Sequence, residues 1–387
     1  MVQKVKSTNS INILFSSLFL LPGFSNIVNF KTHRSNCLTC INNKDAKLKQ
    51  VLESNKVNGL ILVSKNNDTS QPEVISNKLN NINYQKQLSY NRYFPIASLQ
   101  KGITGVAVYH LINSGEITLN THLNKFFPKM KNSNNITIEQ LMTHQSGICD
   151  KYKKANHVIT EEKERQKFLF NDFSVKKKHS WKYSSSNFGI LAAIIRLKIG
   201  ETYFDYVKRN ILYPSHLYKI RPFEKVNNVN EVSLPVKNDR KKFKILISVL
   251  RLGMLVPKLS FINIPRLISF ISCYHLYEGL SENLGAGDFL ATPKDYWKFL
   301  YRKIINNRKV SSYFYKKAQK NKIHYFGGYY FKDDYILADG ALNKFNCCST
   351  ATNYKNKRTI MKFTNNISFK EFKKIQREIY QIYFKDK

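Results

Sequence analysis

Phe94-Pro95-Ile96-Ala97-Ser98-Leu99-Gln100-Lys101-Gly102-Ile103-Thr104 passes from an extended apolar run into a helical pattern that continues to Ile112. Ile103, Val106, Tyr109 and Leu111 form its apolar stripe. Ser98 and Lys101, three residues apart at the helix opening, share one face and lie within reach of each other. A serine hydroxyl is a weak nucleophile until a neighbour takes its proton. A lysine can take it once burial and nearby positive charge bring its pKa toward neutrality. The free N–H groups of a helix N-terminus stand close by as donors for an oxyanion. Spacing alone is insufficient, because Ser174-Val175-Lys176-Lys177 repeats it in a basic polar stretch with no helix opening behind it.

Upstream, residues 45–54 have helical composition, Gly59-Leu60-Ile61-Leu62-Val63 reads as a buried strand, and a second strand follows near 73–76. Downstream, residues 136–142 open a short helix with Thr137 or Asn135 as cap, and 187–199 form an apolar helix ended by Gly200. Segments 325–330, 335–338, 346–354 and 358–364 are strand-like, and 368–383 read as a closing amphipathic helix. Strands at both ends of the chain with helices between them predict an α+β fold. Its antiparallel sheet is flanked by helices, with a helical subdomain inserted at about 115–285.

At 387 residues the chain can bury one large core or two modest ones. A composition of 42% hydrophobic and 13% aromatic residues excludes a disordered chain. The balance of 63 Lys and Arg against 26 Asp and Glu leaves +37, a field that draws nucleic acid, anionic lipid or the phosphate polymers of a Gram-positive wall. The N-terminus narrows that choice. Lys4 and Lys6 precede an apolar run from Ile11 to Leu21, then Pro22 and Gly23-Phe24-Ser25. This is the layout of a secretory signal peptide over residues 1–25, with an uncleaved anchor as the alternative because Ile27, Val28 and Phe30 extend the apolar character. Residues 26–44 read as a linker and 45–387 as the folded domain. An extracellular protein associated with wall or membrane would meet wall polymer or an anionic membrane surface, not nucleic acid.

Residues 240–277 carry Arg240, Lys241, Lys242, Lys244, Arg251, Lys258 and Arg266 among apolar runs, with no acidic residue. That is the pattern of an interfacial membrane hairpin, or of a buried helical pair with basic edges. The cysteines are Cys37, Cys40, Cys149, Cys273, Cys347 and Cys348. With no second CxxC, zinc is not expected, and adjacent Cys347 and Cys348 would point to opposite faces of a strand. No metal, cofactor or cysteine function is assigned.

The opening stretch resembles the active-site entry of penicillin-binding proteins and class C beta-lactamases. Four further stretches resemble that family's motifs in the same order. They are Leu111-Ile112-Asn113-Ser114-Gly115-Glu116-Ile117-Thr118-Leu119, Ile136-Thr137-Ile138-Glu139-Gln140-Leu141-Met142-Thr143-His144-Gln145-Ser146-Gly147-Ile148, Tyr183-Ser184-Ser185-Ser186-Asn187, and Gly285-Ala286-Gly287-Asp288-Phe289-Leu290-Ala291-Thr292-Pro293-Lys294-Asp295. The resemblance, covering roughly 57–365, implies a beta-lactamase/DD-peptidase-like fold with the site between sheet and helical region. It also implies that Ser98 forms an acyl-enzyme, that Lys101 activates it and that Tyr183 relays the proton. The backbone N–H groups of Ser98 and Ala341 would hold the oxyanion. The family's histidine at position 144 is structural, and His144 is read that way here.

Two departures bear on the substrate. The second box usually has Asn where this chain has Ser185, and the third box, normally a cation followed by Thr or Gly and then Gly, falls on Ala338-Asp339-Gly340. The missing cation normally faces a substrate carboxylate. Members of the family that remove D-alanyl esters from teichoic acid resemble this chain, with a similar His-Gln-Ser-Gly stretch and a degenerate third box. A D-alanyl ester carries an ammonium and no carboxylate, so Ala338 costs it little, and Asp339 stands where it would help. The expected function is therefore a secreted serine hydrolase on D-alanyl ester or amide groups of the bacterial wall, teichoic acid esters foremost. A D-alanyl-D-alanine carboxypeptidase, a beta-lactamase or a non-catalytic wall-binding protein are the alternatives.

Overall fold

Along strand β1 (Gly59–Lys65), Leu60 and Leu62 face one way and Ile61 and Val63 the other, all four buried. A strand apolar on both faces has to lie inside a sheet covered on both sides. The computed structural model places it there; it describes residues 38–65, 68–78, 88–176, 180–226, 231–234, 276–342 and 346–385. The expected signal peptide at 1–25, and the basic-apolar segment 240–277 as far as residue 275, lie outside the described residues.

The main sheet has seven strands in the order β2-β1-β12-β11-β10-β9-β8, every neighbouring pair antiparallel. Its members are β1, β2 (Asp68–Asn77), β8 (Tyr325–Phe326), β9 (Tyr329–Lys332), β10 (Tyr335–Leu342), β11 (Asn346–Asn353) and β12 (Thr359–Thr364). Two small sheets complete the strands: β3 (Phe94–Pro95), β7 (Phe289–Ala291) and β6 (Ile220–Pro222) in one, and β4 (Ile148–Asp150) with β5 (Phe173–Val175) in the other. The helices named below are α1 (Leu38–Ser54), α2 (Gln100–Asn113), α3 (Ile138–Met142), α4 (Glu162–Asn171), α5 (Ser185–Ile199) and α6 (Phe369–Phe384). The expected α+β architecture, a sheet built from both ends of the chain around inserted helices, is what the molecule has.

On one face Leu48, Val51 and Leu52 of α1 and Phe372, Ile375 and Ile379 of α6 pack on Ile61, Ile75, Cys347, Ala351 and Ile360. On the other, Leu60, Leu62, Met361, Phe363, Cys348 and Ile336 join a larger core with Ile103, Val106 and Ala107 of α2 and Leu191 and Ile194 of α5. Cys347 and Cys348 thus lie in different cores, as strand alternation requires, and both are free thiols.

Local rules set most boundaries. Thr137 caps α3 in a reciprocal box with Gln140, and Ser368 caps α6 in the same way with Glu371. Gly200, at φ +80°, ends α5 in the left-handed conformation. Helix α1 starts at Leu38, inside the stretch read as linker: residues 38–44 contain no Pro or Gly to stop the helix that follows. The single strand expected at 325–330 is a hairpin, because Gly327 and Gly328 (φ +61° and +100°) turn the chain between β8 and β9.

Candidate active site

The chain enters α2 through a tight turn, Ala97–Leu99, with Ala97 held at φ +43°. A non-glycine residue in that region is strained, and such strain persists only where the surroundings over-determine it. Here they do. Gly340 of β10 abuts the turn so closely that a Cβ on it would lie 2.8 Å from the Ile96 carbonyl oxygen and 3.1 Å from Ala97 Cβ. The Gly327–Gly328 turn presses on α2 from another side; a Cβ on Gly105 would lie 2.2 Å from the Gly327 oxygen, and one on Gly328 2.3 Å from the Gly102 nitrogen.

Ser98 and Lys101 meet as their spacing predicts, with Lys101 Nζ 2.9 Å from Ser98 Oγ. Lys101 is only 1% exposed. Its nitrogen also lies 2.9 Å from the Ala286 carbonyl oxygen and 3.3 Å from Ser185 Oγ. As an ammonium Lys101 donates to all three oxygens; as a neutral amine it can keep its two N–H bonds on Ala286 and Ser185 and turn its lone pair to the Ser98 hydroxyl. Burial lowers the Lys101 pKa to about 7, with the Asp150 carboxylate pulling the other way. Burial alone does what the sequence reading divided between burial and neighbouring positive charge.

The Ala286 carbonyl is fixed by a buried network. Asp288 accepts from the Gly285 N–H at 2.9 Å, from Gln100 Nε2 at 2.6 Å and from Arg165 Nη1 of α4 at 2.9 Å. Arg165 also reaches Glu224 at 2.7 Å. Gln100, beside the Ala97–Leu99 turn, returns a bond by accepting the Phe289 N–H at 2.8 Å.

Tyr183 is half-buried at the cleft, hydrogen-bonded to Ser98, and lies with its ring 5.1 Å from Lys101 Nζ. Burial pushes its pKa up, and the nearby carboxylates of Asp150 and Asp339 add to this. A phenol so placed stays protonated at neutral pH, which leaves Lys101 as the group able to act as base and gives Tyr183 a proton to pass on. Ser185 occupies the place of the usual amide and still reaches Lys101, so that departure keeps a hydrogen bond to the lysine.

His144 is neutral in this setting, since burial and then Lys101 lower its pKa well below the ordinary value. Its Nδ1 lies 2.9 Å from Asn187 Nδ2 and 3.4 Å from the Ser184 N–H, and its ring packs 4.5 Å from that of Tyr183. Those contacts support the second box and do not include Ser98. The repeated spacing at Ser174 falls on β5, an exposed position on a short strand.

Strand alternation divides the third box. Ala338 lies in the core on the α2 side, 3% exposed, and borders the cleft together with Ser98, Tyr183, Tyr325, Gly328, Tyr330 and Phe369. Asp339 also borders it, but its carboxylate is taken: Lys373 Nζ donates at 3.0 Å and Gln376 Nε2 at 2.7 Å, both from α6. The sequence reading left Asp339 open to a substrate; the structure ties it to the helix. Ala341, one residue past Gly340, packs against the α6-side core.

The sequence model of the Beta-lactamase family matches residues 47–322. The chain belongs to that family. Its curated relatives include a putative penicillin-binding protein, PbpX, of Bacillus subtilis (strain 168), 25% identical over 181 residues that make up 44% of this chain and 43% of the relative. Another is a teichoic acid D-alanine hydrolase of Staphylococcus aureus, 27% identical over 194 residues, 48% of each chain. The chain therefore spans about half the length of the curated relatives it matches. Among solved structures it is similar in fold to FmtA of Staphylococcus aureus, with a TM-score of 0.67 and 17% identity over 92% of this chain and 93% of that one. It is also similar to the D-amino acid amidase of Ochrobactrum anthropi SV3, with a TM-score of 0.66 and 14% identity over 89% and 98%.

Within this Beta-lactamase family site, several groups were invisible to motif reading. Asp150 accepts from the Ser184 hydroxyl and from the backbone N–H groups of Ser185 and Ser186, so it caps α5 from a different strand. Ala286 acts through its backbone, and Tyr325, Tyr330 and Phe369 reach the cleft from β8, β9 and α6. No spacing rule links these positions in sequence. Among the described residues no group of three or more His, Cys, Asp or Glu is arranged to hold a metal ion, and no helix is long and apolar enough to cross a membrane.

Proposed function

We propose that this protein is a secreted serine hydrolase that cleaves D-alanyl esters of a wall polymer, teichoic acid foremost, through an acyl-enzyme on Ser98. Neutral Lys101 takes the proton of Ser98 as Oγ adds to the ester carbonyl. Tyr183 hands a proton to the departing polymer alkoxide, and the proton that Lys101 took from Ser98 replenishes Tyr183, whose ring lies 5.1 Å from Lys101 Nζ. Water then attacks the acyl-enzyme by the same route in reverse, releasing D-alanine and the free serine. The N–H groups of Ser98 and Ala341 hold the oxyanion in both steps.

The observation that carries the choice of substrate is the cleft wall. Where a carboxylate-binding member of the family would present a cation, this chain has buried Ala338, and the side chains around it and Ser98 are the rings of Tyr183, Tyr325, Tyr330 and Phe369 with the carboxylate of Asp339. Aromatic faces attract an ammonium, and among the described residues the wall has no cation to pair with a carboxylate. A D-alanyl ester has the former and lacks the latter, whereas a D-alanyl-D-alanine terminus and a penicillin both carry a carboxylate. The printed name of the Staphylococcus aureus relative, a teichoic acid D-alanine hydrolase, supports the same reading.

The test is release of D-alanine from alanylated teichoic acid by purified protein. Release by the wild type that disappears in Ser98→Ala supports the proposal, and an identical blank from both ends it.

A further inference from the structure

A second cleft, of about 760 Å³, lies on the helical side of the molecule and is roomier than the one at Ser98. Lys129 and Lys131 reach it from the loop before α3, and Lys151 from the end of β4. All three are exposed, and no acidic residue lines the cleft. Among the described residues none of the three ammonium groups makes an ion pair, although Lys154, Lys198, Lys355 and Lys373 all do. The nearest acid in sequence to the β5 wall, Asp172, turns its carboxylate to the Lys153 N–H at 2.6 Å.

The floor is aromatic but closed. Phe127 and Phe170 pack on each other with ring centroids 4.6 Å apart, and Phe173 on Phe170 at 5.8 Å. Rings engaged with each other in this way leave no stacking platform of the kind that nucleobases use. None of the large exposed apolar side chains lines the cleft, so it has no wedge for entering a bilayer.

The cleft is coupled to the catalytic region by one pair of strands. Phe173 on its floor is the registered partner of Asp150 across the β4–β5 ladder, and residues paired in this way have Cα atoms about 5 Å apart. Asp150 is the residue that holds Ser184, Ser185 and Ser186 beside Tyr183.

We propose that the Lys129–Lys131–Lys151 cleft is a docking groove for the phosphodiester backbone of the polymer whose ester is cleaved at Ser98. This rests on the hydrolase reading above and adds to it a recognition site for the polymer chain. Among the described residues, three ammonium groups without an ion pair around an acid-free cavity complement a polyanion, and the β4–β5 ladder joins that cavity to Asp150 beside the reacting centre. A bound chain would present one esterified unit to Ser98 while neighbouring phosphates lie in the groove.

The experiment compares the full-length wild type with K129Q/K131Q/K151Q and with the charge-preserving K129R/K131R/K151R. All carry changes only at exposed side chains, and thermal unfolding checks the fold. Binding of unalanylated poly(glycerol phosphate) is measured as a function of salt, and turnover is measured on alanylated polymer and on a D-alanyl ester of a small alcohol. The expected result is that the Gln variant binds polymer about tenfold more weakly, with a log–log salt slope smaller by about 2. Its KM for polymer rises while turnover of the small ester is unchanged, and the Arg variant behaves as wild type. Equal polymer binding by wild type and Gln variant overturns the proposal. So does a matched single-stranded RNA, or vesicles of anionic lipid, that binds more tightly than polymer and loses that binding in the Gln variant. If the wild type hydrolyses neither ester, the catalytic reading fails, and the polymer-binding comparison still decides the groove.

Discussion

Asp150 Oδ2 accepts the backbone N–H of Ser185 at 2.8 Å, so the helix that carries the second box is capped from the neighbouring β4–β5 strand pair. The same carboxylate takes the Ser184 hydroxyl at 2.5 Å and the Ser186 N–H at 3.1 Å. It is a positioning residue for Ser185 and Tyr183, and its charge raises the Lys101 pKa against the effect of burial. Asp150→Ala is expected to cost about 1–2 kcal/mol of stability through the lost cap. It should also lower activity and move the acidic limb of kcat/KM to lower pH. Chemical denaturation and a pH–rate profile check these together; a purely structural role would leave the limb in place.

The pH dependence follows from Lys101. With a pKa of about 7 it is a competent base when deprotonated, so kcat/KM should rise about tenfold per pH unit below 7 and level off above it. For stability the sign is the same. Between about 7 and the ordinary lysine value of 10.5 the unfolded chain holds a proton that the folded one lacks, so this group's contribution to stability increases with pH across that window. Lys101→Arg, which cannot deprotonate, should abolish acylation at every pH while the fold survives; burst kinetics with a chromogenic ester measure it.

Ala338→Lys would place a cation where the cleft has none. It should raise labelling of Ser98 by a fluorescent penicillin at least tenfold and lower turnover of D-alanyl esters. The new side chain enters a position only 3% exposed, so a stability loss of about 1–3 kcal/mol should accompany it. Unchanged labelling with intact folding would show that the carboxylate preference is set elsewhere.

Asp339 sits between two lysines on the α6 side of the sheet. It pairs with Lys373 and, across the ladder through Ser349, faces Lys362. Lys362 is 2% exposed, with its nitrogen 4.3 Å from the ring centre of Tyr380 and 4.9 Å from that of Phe372. Burial holds its pKa well below the usual lysine value, and Asp339 opposes that shift. Asp339→Ala removes a carboxylate that both Lys373 and Gln376 donate to in a largely buried position and should destabilise the protein by about 3 kcal/mol, read by urea unfolding. A change within 0.5 kcal/mol would mean that β10 does not depend on this anchor.

Much of this protein follows from local sequence. The continuous apolar run at Leu60–Val63, the capping boxes at Thr137 and Ser368, the stop at Gly200 and the Ser98–Lys101 spacing each encode structure within a few residues. Their information is short-range because propensity, caps and helical spacing are short-range physics. Five motifs in order were enough to identify the family and the order of strands and helices.

What made the pair at Ser98 and Lys101 into a site was decided by the tertiary structure. Burial to 1% exposure lowers Lys101, and no residue beside it in sequence could signal that. The Ala286 carbonyl arrives from 185 residues away and Ser185 from 84. The fate of Asp339 likewise depended on a helix 34 residues further along the chain, whose Lys373 claims the carboxylate that a motif reading had left for a substrate. Desolvation and long-range hydrogen bonds depend on which surfaces meet, and only the packed chain determines that.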